Sequence, residues 1–227
     1  MQRPAWFVKT VRPAPGGGPG CGDPRTGRRY AAVEGRIRTF TEEQPVFFAA
    51  TAPLAGDGHV DVSPEGRGGT PVVVDGLTLP HPDFGGSNAE AIAHLREPGN
   101  GRITPTWCAF GGPPKAPRVH GTGEAVLRDG PRRDGCVGHF EGAGGPSARA
   151  IAVVGVRVRR VGDSCGFAVP FTDHREERTR HAEHFARKTD GEFAAYRERK
   201  EHVGRSLDGL PALPPPLPPG TDAPGTR

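Results

Sequence analysis

At Ser63-Pro64-Glu65-Gly66-Arg67 a hydroxyl, a glycine and a guanidinium leave a strand together, and such a group can receive an anion through an O–H, a backbone N–H and a charged pair. Ser, Pro and Gly clustered in this way are also ordinary turn punctuation. A second stretch of the same kind is Gly85-Gly86-Ser87-Asn88, where a Gly-rich loop enters a helix and turns N–H groups and the positive dipole end outwards, as a phosphate requires. Ser87 stands three residues before Glu90, so it also serves as the cap of a helix carrying Ile92 and Leu95. His181 and His184 are three apart, but no Cys or carboxylate stands at a matching spacing, and no metal is expected. The chain holds no nucleophile elbow, Walker loop or dinucleotide fingerprint, which removes the ordinary hydrolase and nucleotide-driven classes.

The elements that must position these residues are mostly strands. Val46 to Arg67 reads as a hairpin: Val46 to Thr51 is β-branched and aromatic, Gly56-Asp57-Gly58 turns, and Val60 and Val62 alternate with polar neighbours on the return. Ahead of it, Tyr30, Val33, Ile37 and Phe40 recur at helical spacing, so a helix is expected over Tyr30 to Glu43. Pro80 and Pro82 mark the segment around Leu77 to Leu79 as an edge or irregular strand, because each proline removes a ladder donor. Arg102 to Phe110 is a strand with a fault at Pro105, and Arg118 to Leu127 pairs with it as a second hairpin. Ala150 to Val161 is a long strand with Val154, Val156 and Val158 inward and Arg157 and Arg159 in solvent. Asp129 to Arg149 has almost no periodicity and reads as loop, and two helices follow, over Asp173 to Lys188 and Asp190 to Val203.

Gly and Pro make up 61 of 227 residues and crowd the ends, so the folded unit is expected over about Arg29 to Leu210, between a tail at 1–28 and a Pro-rich tail at 211–227. Removing residues 1–28 is expected to leave stability nearly unchanged. Net charge is +4, but Arg is scattered among acids and aromatics are 7%, which does not make a nucleic-acid surface. Four cysteines without paired spacing suit a reducing cytoplasm, Met1 to Val8 lacks the apolar core of a signal peptide, and no run approaches the roughly 20 apolar residues of a membrane span.

The order hairpin, irregular strand, Gly-Ser loop, helix, hairpin, long strand, helices is that of a mainly β protein with flanking helices, a small six-stranded barrel of α+β type. The segments FFAATAPLAGDGHVDVSPEG, EAIAHLRE with GRIT, WCAF with GPP, and GDSCGFAVP followed by YRERK and SLDGLP resemble the pyridoxamine 5'-phosphate oxidase-like family, in its flavin-reductase-like branch. The match runs from about Arg29 to Pro211, with gaps at 68–83 and 129–149. The resemblance implies a split β-barrel homodimer that holds FMN, or in some relatives a deazaflavin, in grooves at the subunit interface and passes hydride or electrons to a small redox substrate. It assigns the phosphate side to Ser63, Pro64, Arg67, Ser87 and Asn88, the ring border to Trp107 and Phe110, and a contact from the partner chain to Ser164, Cys165, Gly166 and Phe167. Glu65, Ala89 and Ala91 depart from the family pattern, which has Lys, Asn and Thr there, and leave open a non-catalytic flavin or haem carrier on the same scaffold. A carboxylate about 6 Å from a phosphate costs roughly 3 kcal/mol per phosphate charge at an effective dielectric near 20, so either Glu65 points away or the phosphate site is weakened.

Overall fold

The computed structural model describes residues 28–66, 69–85, 89–128, 130, 140, 150–180, 183–184, 187–199 and 204–214. Its elements are β1 (Arg29–Tyr30), α1 (Gly35–Glu43), β2 (Val46–Thr51), β3 (Asp61–Gly66), β4 (Thr78–Asp83), α2 (Glu90–Arg96), β5 (Arg102–Thr106), β6 (Arg118–Leu127), β7 (Ala152–Gly162) and α3 (Asp190–Arg199). The strands form one antiparallel sheet in the order β1-β7-β6-β5-β2-β3, with β4 also paired to β7. Six strands of five residues or more and the two-residue β1 thus replace the simple six-stranded count.

The sheet curls. His81 of β4 meets Phe47 of β2 edge-on at 5.3 Å, although no ladder joins β4 to β2 or β3 among the described residues. The barrel is therefore split: side chains cross the gap and backbone hydrogen bonds do not. Phe47, Leu79, Ile92, Val119, Val154 and Val156 are among the residues that fill it.

The prolines lie where the backbone tolerates them, or leave a visible fault. Leu77 O accepts from Val158 N–H on one edge of β4, while Pro80 O and Thr78 O accept from Val72 and Val74 on the other. By this alternation the nitrogens of Pro80 and Pro82 face away from β7, where the ladder needs no donor. Pro105 is different, since its nitrogen faces β6. The β5–β6 register holds Arg102, Ile103 and Thr106 but skips the two residues between Ile103 and Thr106, and pairing resumes with Trp107 N–H to Pro117 O at 3.1 Å. The expected fault is there.

Three expectations need correction. Tyr30 belongs to a strand paired with Val161, and α1 begins only at Gly35, whose φ of +51° is left-handed and breaks the longer helix. Asp173 to Thr179 is exposed and non-helical, because beyond Thr172 N–H to Phe110 O it has no apolar surface to lie on; a turn starts only with Glu183 N–H to Thr179 O at 2.9 Å. Packing also continues past Leu210, since Ala212 is buried in the core and Leu213 packs against it. The expected pattern on β7 holds at Val154, Val156 and Val158, but Val153 is buried as well, against Val126 and Phe140 on the opposite face. Arg159 is exposed and Arg157 is half-buried. Start of α3 at Asp190 agrees with the sequence, where Thr189 and Glu192 form a reciprocal capping pair, Glu192 Oε2 accepting from Thr189 N–H at 2.8 Å.

The C-terminal segment 204–214 is strapped to the body at two points. Glu90 Oε1 accepts from Leu207 N–H at 2.7 Å, and Asp208 accepts from His59 twice, through its N–H at 2.8 Å and its Nδ1 at 2.6 Å. The carboxylate raises the pKa of His59, and the imidazole lowers that of Asp208. His59 therefore stabilises fully below its ordinary value of 6.5, and the contribution is lost as pH rises through the raised value; that of Asp208 is lost only as pH falls through its own lowered value. His59→Ala is expected to lower the melting temperature more at about pH 5.5 than at about pH 8.5. Equal losses at both pH values would show that the strap does not depend on the charge.

Candidate functional site

Register decides which face of β3 does what. Thr51, Ala49 and Phe47 of β2 stand opposite Asp61, Ser63 and Glu65, and cross-strand partners share a face. Thr51, Ala49 and Phe47 are buried, so the three polar residues of β3 lie on the core side of the sheet. Val62 and Pro64 point the other way, and Val62 is 57% exposed. An edge strand with its polar residues inward and its apolar ones outward inverts the usual pattern of a half-buried strand.

Behind that strand lies an aromatic stack. Phe47 packs on Trp107 with ring centroids 5.5 Å apart and on His81 from the other direction. Trp107 is fully buried and its Nε1–H has no partner among the described residues, and the same holds for Nδ1 of His81. Burial pushes the His81 pKa down to about 4, so the ring is neutral at neutral pH. Glu65, over the same core, is pushed up to about 8 by burial first, then by Asp83 and Asp61. Burial also raises Asp83, a backbone hydrogen bond from Gly85 opposes this, and Asp61 adds to the rise.

The predicted residues fall into three groups. Ser63 and Pro64 sit on β3, where the Ser63 hydroxyl donates to Asp61 Oδ2 at 2.9 Å. Ser164, Cys165 and Gly166 follow β7: Ser164 Oγ donates to Ala116 O at 3.1 Å and accepts from Arg118 Nη1 at 2.7 Å, Cys165 is an exposed free thiol, and Gly166 has a φ of +59° against the Lys115 backbone. Along the sheet β2, β5 and β6 separate these two groups, so pairing within one chain does not bring them together. Trp107 is the third, a core residue with no exposed surface in the single chain; Phe110 is half-buried. Arg67, Ser87, Asn88 and His181 lie outside the described residues. Glu90, expected to complete a cap with Ser87, accepts at Oε1 from the Leu207 N–H, and the helix is capped at Ala89.

Sequence reasoning missed a buried relay. His94 of α2 is fully buried, its Nδ1 pairs with Thr51 Oγ1 at 2.9 Å, and its Nε2 lies 3.8 Å from Glu90 Oε2. The signal available was the i, i+4 spacing of Glu90 and His94. The open groove of about 410 Å³ between Arg180, His184, Arg187 and Glu192 contains none of the predicted residues. Among the described residues no cluster of His, Cys, Asp and Glu is placed to hold a metal ion, and no helix is long and apolar enough to cross a membrane.

The phosphate side can be tested on its donors. Among the described residues the Ser63 hydroxyl is taken up by Asp61 and the Gly85 N–H by Asp83, while Pro64 and Pro82 have no N–H. Glu65, pushed up to about 8, keeps its proton at neutral pH and joins Asp61 and Asp83 there as a neutral carboxyl. Arg67, Ser87 and Asn88, the other residues assigned to the phosphate, lie outside the described residues.

The architecture defines a mainly antiparallel β protein, a split and unclosed barrel with small flanking helices. No profile of a known protein family matches the chain. A pyridoxamine 5'-phosphate oxidase family protein of Aspergillus flavus, ustO, is 32% identical over 200 residues, spanning 81% of this chain and 77% of that one. The chain belongs to the pyridoxamine 5'-phosphate oxidase family. Solved structures with lower similarity include a HupZ protein of Group A Streptococcus (16% identity, 57% of this chain and 90% of that one, TM-score 0.39) and an FMN-binding protein of Syntrophomonas wolfei (12%, 54% and 79%, TM-score 0.39). A FAD-binding protein of Mesorhizobium loti is 19% identical over 57% of this chain and 94% of that one, with a TM-score of 0.37.

Proposed function

We propose that the protein is a flavin-dependent oxidoreductase that moves hydride or electrons between a flavin and a small-molecule redox substrate, working as a cytoplasmic homodimer with the flavin at the subunit interface. Family membership, through a relative matched over three quarters of its length, carries this reading. The dimer has separate support in surface that one chain leaves uncovered. Val62 on the outer face of β3 is 57% exposed, and the extended arm after β7 presents Phe167 at 79% and Phe171 at 84%. Large apolar side chains on an arm and on a sheet face are suited to cover one another between two copies. Such a dimer would also set Ser164, Cys165 and Gly166 of one chain near the β3 end of its partner, which a single chain does not do.

FMN is the flavin the family resemblance suggests, and a deazaflavin is the alternative. A second reading, a non-catalytic flavin or haem carrier, is favoured by the carboxylate lining around Glu65. The test is the visible spectrum of the protein as purified, repeated after incubation with FMN, riboflavin, a deazaflavin or haem and gel filtration. A retained flavin band, bleached by a reductant and restored by an acceptor in repeated turnovers, is the expected result. A band that binds but does not turn over supports the carrier, and a protein that retains no flavin overturns the flavin reading. Sedimentation at micromolar concentration should give a dimer; a monomer would remove the interface site.

A further inference from the structure

We propose that the outer face of the sheet carries an oxyanion site at Gly162, where Arg29 and Arg118 close on a phosphate or carboxylate group from either side and Ser164 holds the Arg118 guanidinium in place. Such a site stands whichever cofactor the chain holds. Register puts its residues in one row. Arg118 of β6 and Arg29 of β1 stand opposite Gly162 of β7 on its two sides, and cross-strand partners share a face. The neighbouring row of Val119, Val161 and Tyr30 points inward, since Val119 and Val161 are fully buried and Tyr30 packs against the core. The row of Arg29, Gly162 and Arg118 therefore points outward, and both arginines are exposed.

The gap between the two cations distinguishes this place from an ordinary charged surface. Strands that flank a common neighbour lie about 9–10 Å apart, a span that two long guanidinium side chains can close onto one group. A Cβ placed on Gly162 meets nothing within 4 Å, so the floor of the gap is bare backbone under open space. A glycine paired on both sides gives up packing and marks a place that a ligand can approach closely. Ser164 Oγ accepts from Arg118 Nη1 at 2.7 Å and is itself anchored by donating to Ala116 O at 3.1 Å, so the fork is aimed before any ligand arrives. Arg160, two residues before Gly162, stands opposite His120 and adds to the positive field. Like charges facing one another across a sheet destabilise it, and among the described residues no carboxylate pairs with Arg29, Arg118 or Arg160. Asp163, the acid next to Gly162, has its Oδ1 buried. An oxyanion supplies both the missing charge and the paired acceptors that a planar guanidinium takes two at a time.

The experiment titrates the full-length protein with inorganic phosphate at neutral pH and constant ionic strength, following the Nε–H NMR signals of Arg29 and Arg118. The expected result is saturable movement of both signals with a Kd on the order of millimolar. Arg118→Ala should weaken phosphate by about tenfold or more, and Arg118→Lys, which keeps the charge without the fork, by about threefold. Arg38→Ala, on α1 where Arg38 pairs with Glu42, should change it by less than about twofold. Gly162→Val discriminates a notch from a diffuse charge: both arginines remain, nothing obstructs the new side chain, and phosphate binding should be lost with the melting temperature retained. Repeating the titration with FMN and with riboflavin present separates two sources of the oxyanion. Phosphate binding blocked by FMN and not by riboflavin assigns the site to the flavin's own phosphate, and binding kept with both assigns it to a second molecule. No saturable movement of either signal, or unchanged binding in a folded Gly162→Val, would overturn the proposal. If that variant does not fold, equal phosphate binding by Arg118→Ala and the unaltered protein would overturn it instead.

Discussion

Trp107→Ala should cost about 3–5 kcal/mol of folding stability, while Trp107→Phe should cost much less. Trp107 is fully buried, stacked on Phe47, and lies just beyond the Pro105 fault, where the β5–β6 ladder is already short of bonds. Truncation to Ala would leave a cavity beside Phe47 that the strands on either side restrict from collapsing. Phe keeps a ring on the stack and removes the indole N–H. That donor has no partner among the described residues, and an unsatisfied buried donor costs about 1–3 kcal/mol, so its loss offsets part of the missing area. Urea unfolding of the two variants at the same pH measures both quantities. Equal losses would mean that the N–H has a partner in the folded protein. The same pair bears on function: a fall in flavin affinity for Trp107→Phe, with stability retained, would bring the indole to the cofactor in the dimer and away from a purely core role.

Glu65→Gln should stabilise the protein by about 2 kcal/mol near pH 8 and leave it almost unchanged near pH 4.5. The unfolded carboxyl ionises at 4.5 and the folded one at about 8, so between these values the folded state keeps a proton that the unfolded state has released. Stability contributed at Glu65 therefore falls as pH rises through this window and levels off above it. The full shift corresponds to at most about 5 kcal/mol, and a half-buried group retains enough water to reduce that to about 2. His81 works in the opposite sense. Its ring takes a proton at 6.5 when unfolded and only at about 4 when folded, so stability falls as pH drops from 6.5 through 4. In the unaltered protein the two slopes oppose each other between 4.5 and 6.5, with the raised Asp83 acting in the same sense as Glu65, and above 6.5 the decline is unopposed by His81. In Glu65→Gln the decline above pH 6.5 should shrink to the part that His59 contributes. Denaturant midpoints across this range measure it, and a Gln variant that weakens between pH 6.5 and 8 as much as the unaltered protein would show that another group carries the effect.

How much of this was legible depended on the range of the interaction concerned. The β2–β3 hairpin, the β6 strand, the β7 strand and the start of α3 were readable because β-branched runs, Gly turns and capping spacings act between residues close in sequence. The Pro105 fault was readable for the same reason, a missing N–H being a property of the residue itself. The helix over Tyr30 to Glu43 was misjudged at its start because the β7 edge that takes Tyr30 lies more than a hundred residues away. The segment Asp173 to Thr179 has helix-compatible residues and a capping spacing, but it is exposed throughout among the described residues, and a short helix does not persist on propensity alone. For the candidate site, the residue types at Ser63 to Glu65 and the departure of Glu65 from the family pattern were visible in the sequence. The burial of Trp107, the His94 relay and the strap from Glu90 and His59 to residues 207–208 were not, since each joins elements far apart along the chain.

By itself the sequence determined the family, a mainly β order of elements and the chemical character of the β3 end. Tertiary structure alone decided that Asp61, Ser63 and Glu65 face inward and that Asp83 crosses the split to join them. Side-chain alternation along a strand is local, but which of its two faces is buried depends on register against β2 and on the curl that brings β4 back toward the sheet. The physical consequence is electrostatic: burial on the inner side of the sheet, with Asp61 beside them, is what holds the Glu65 and Asp83 carboxyls above their ordinary values.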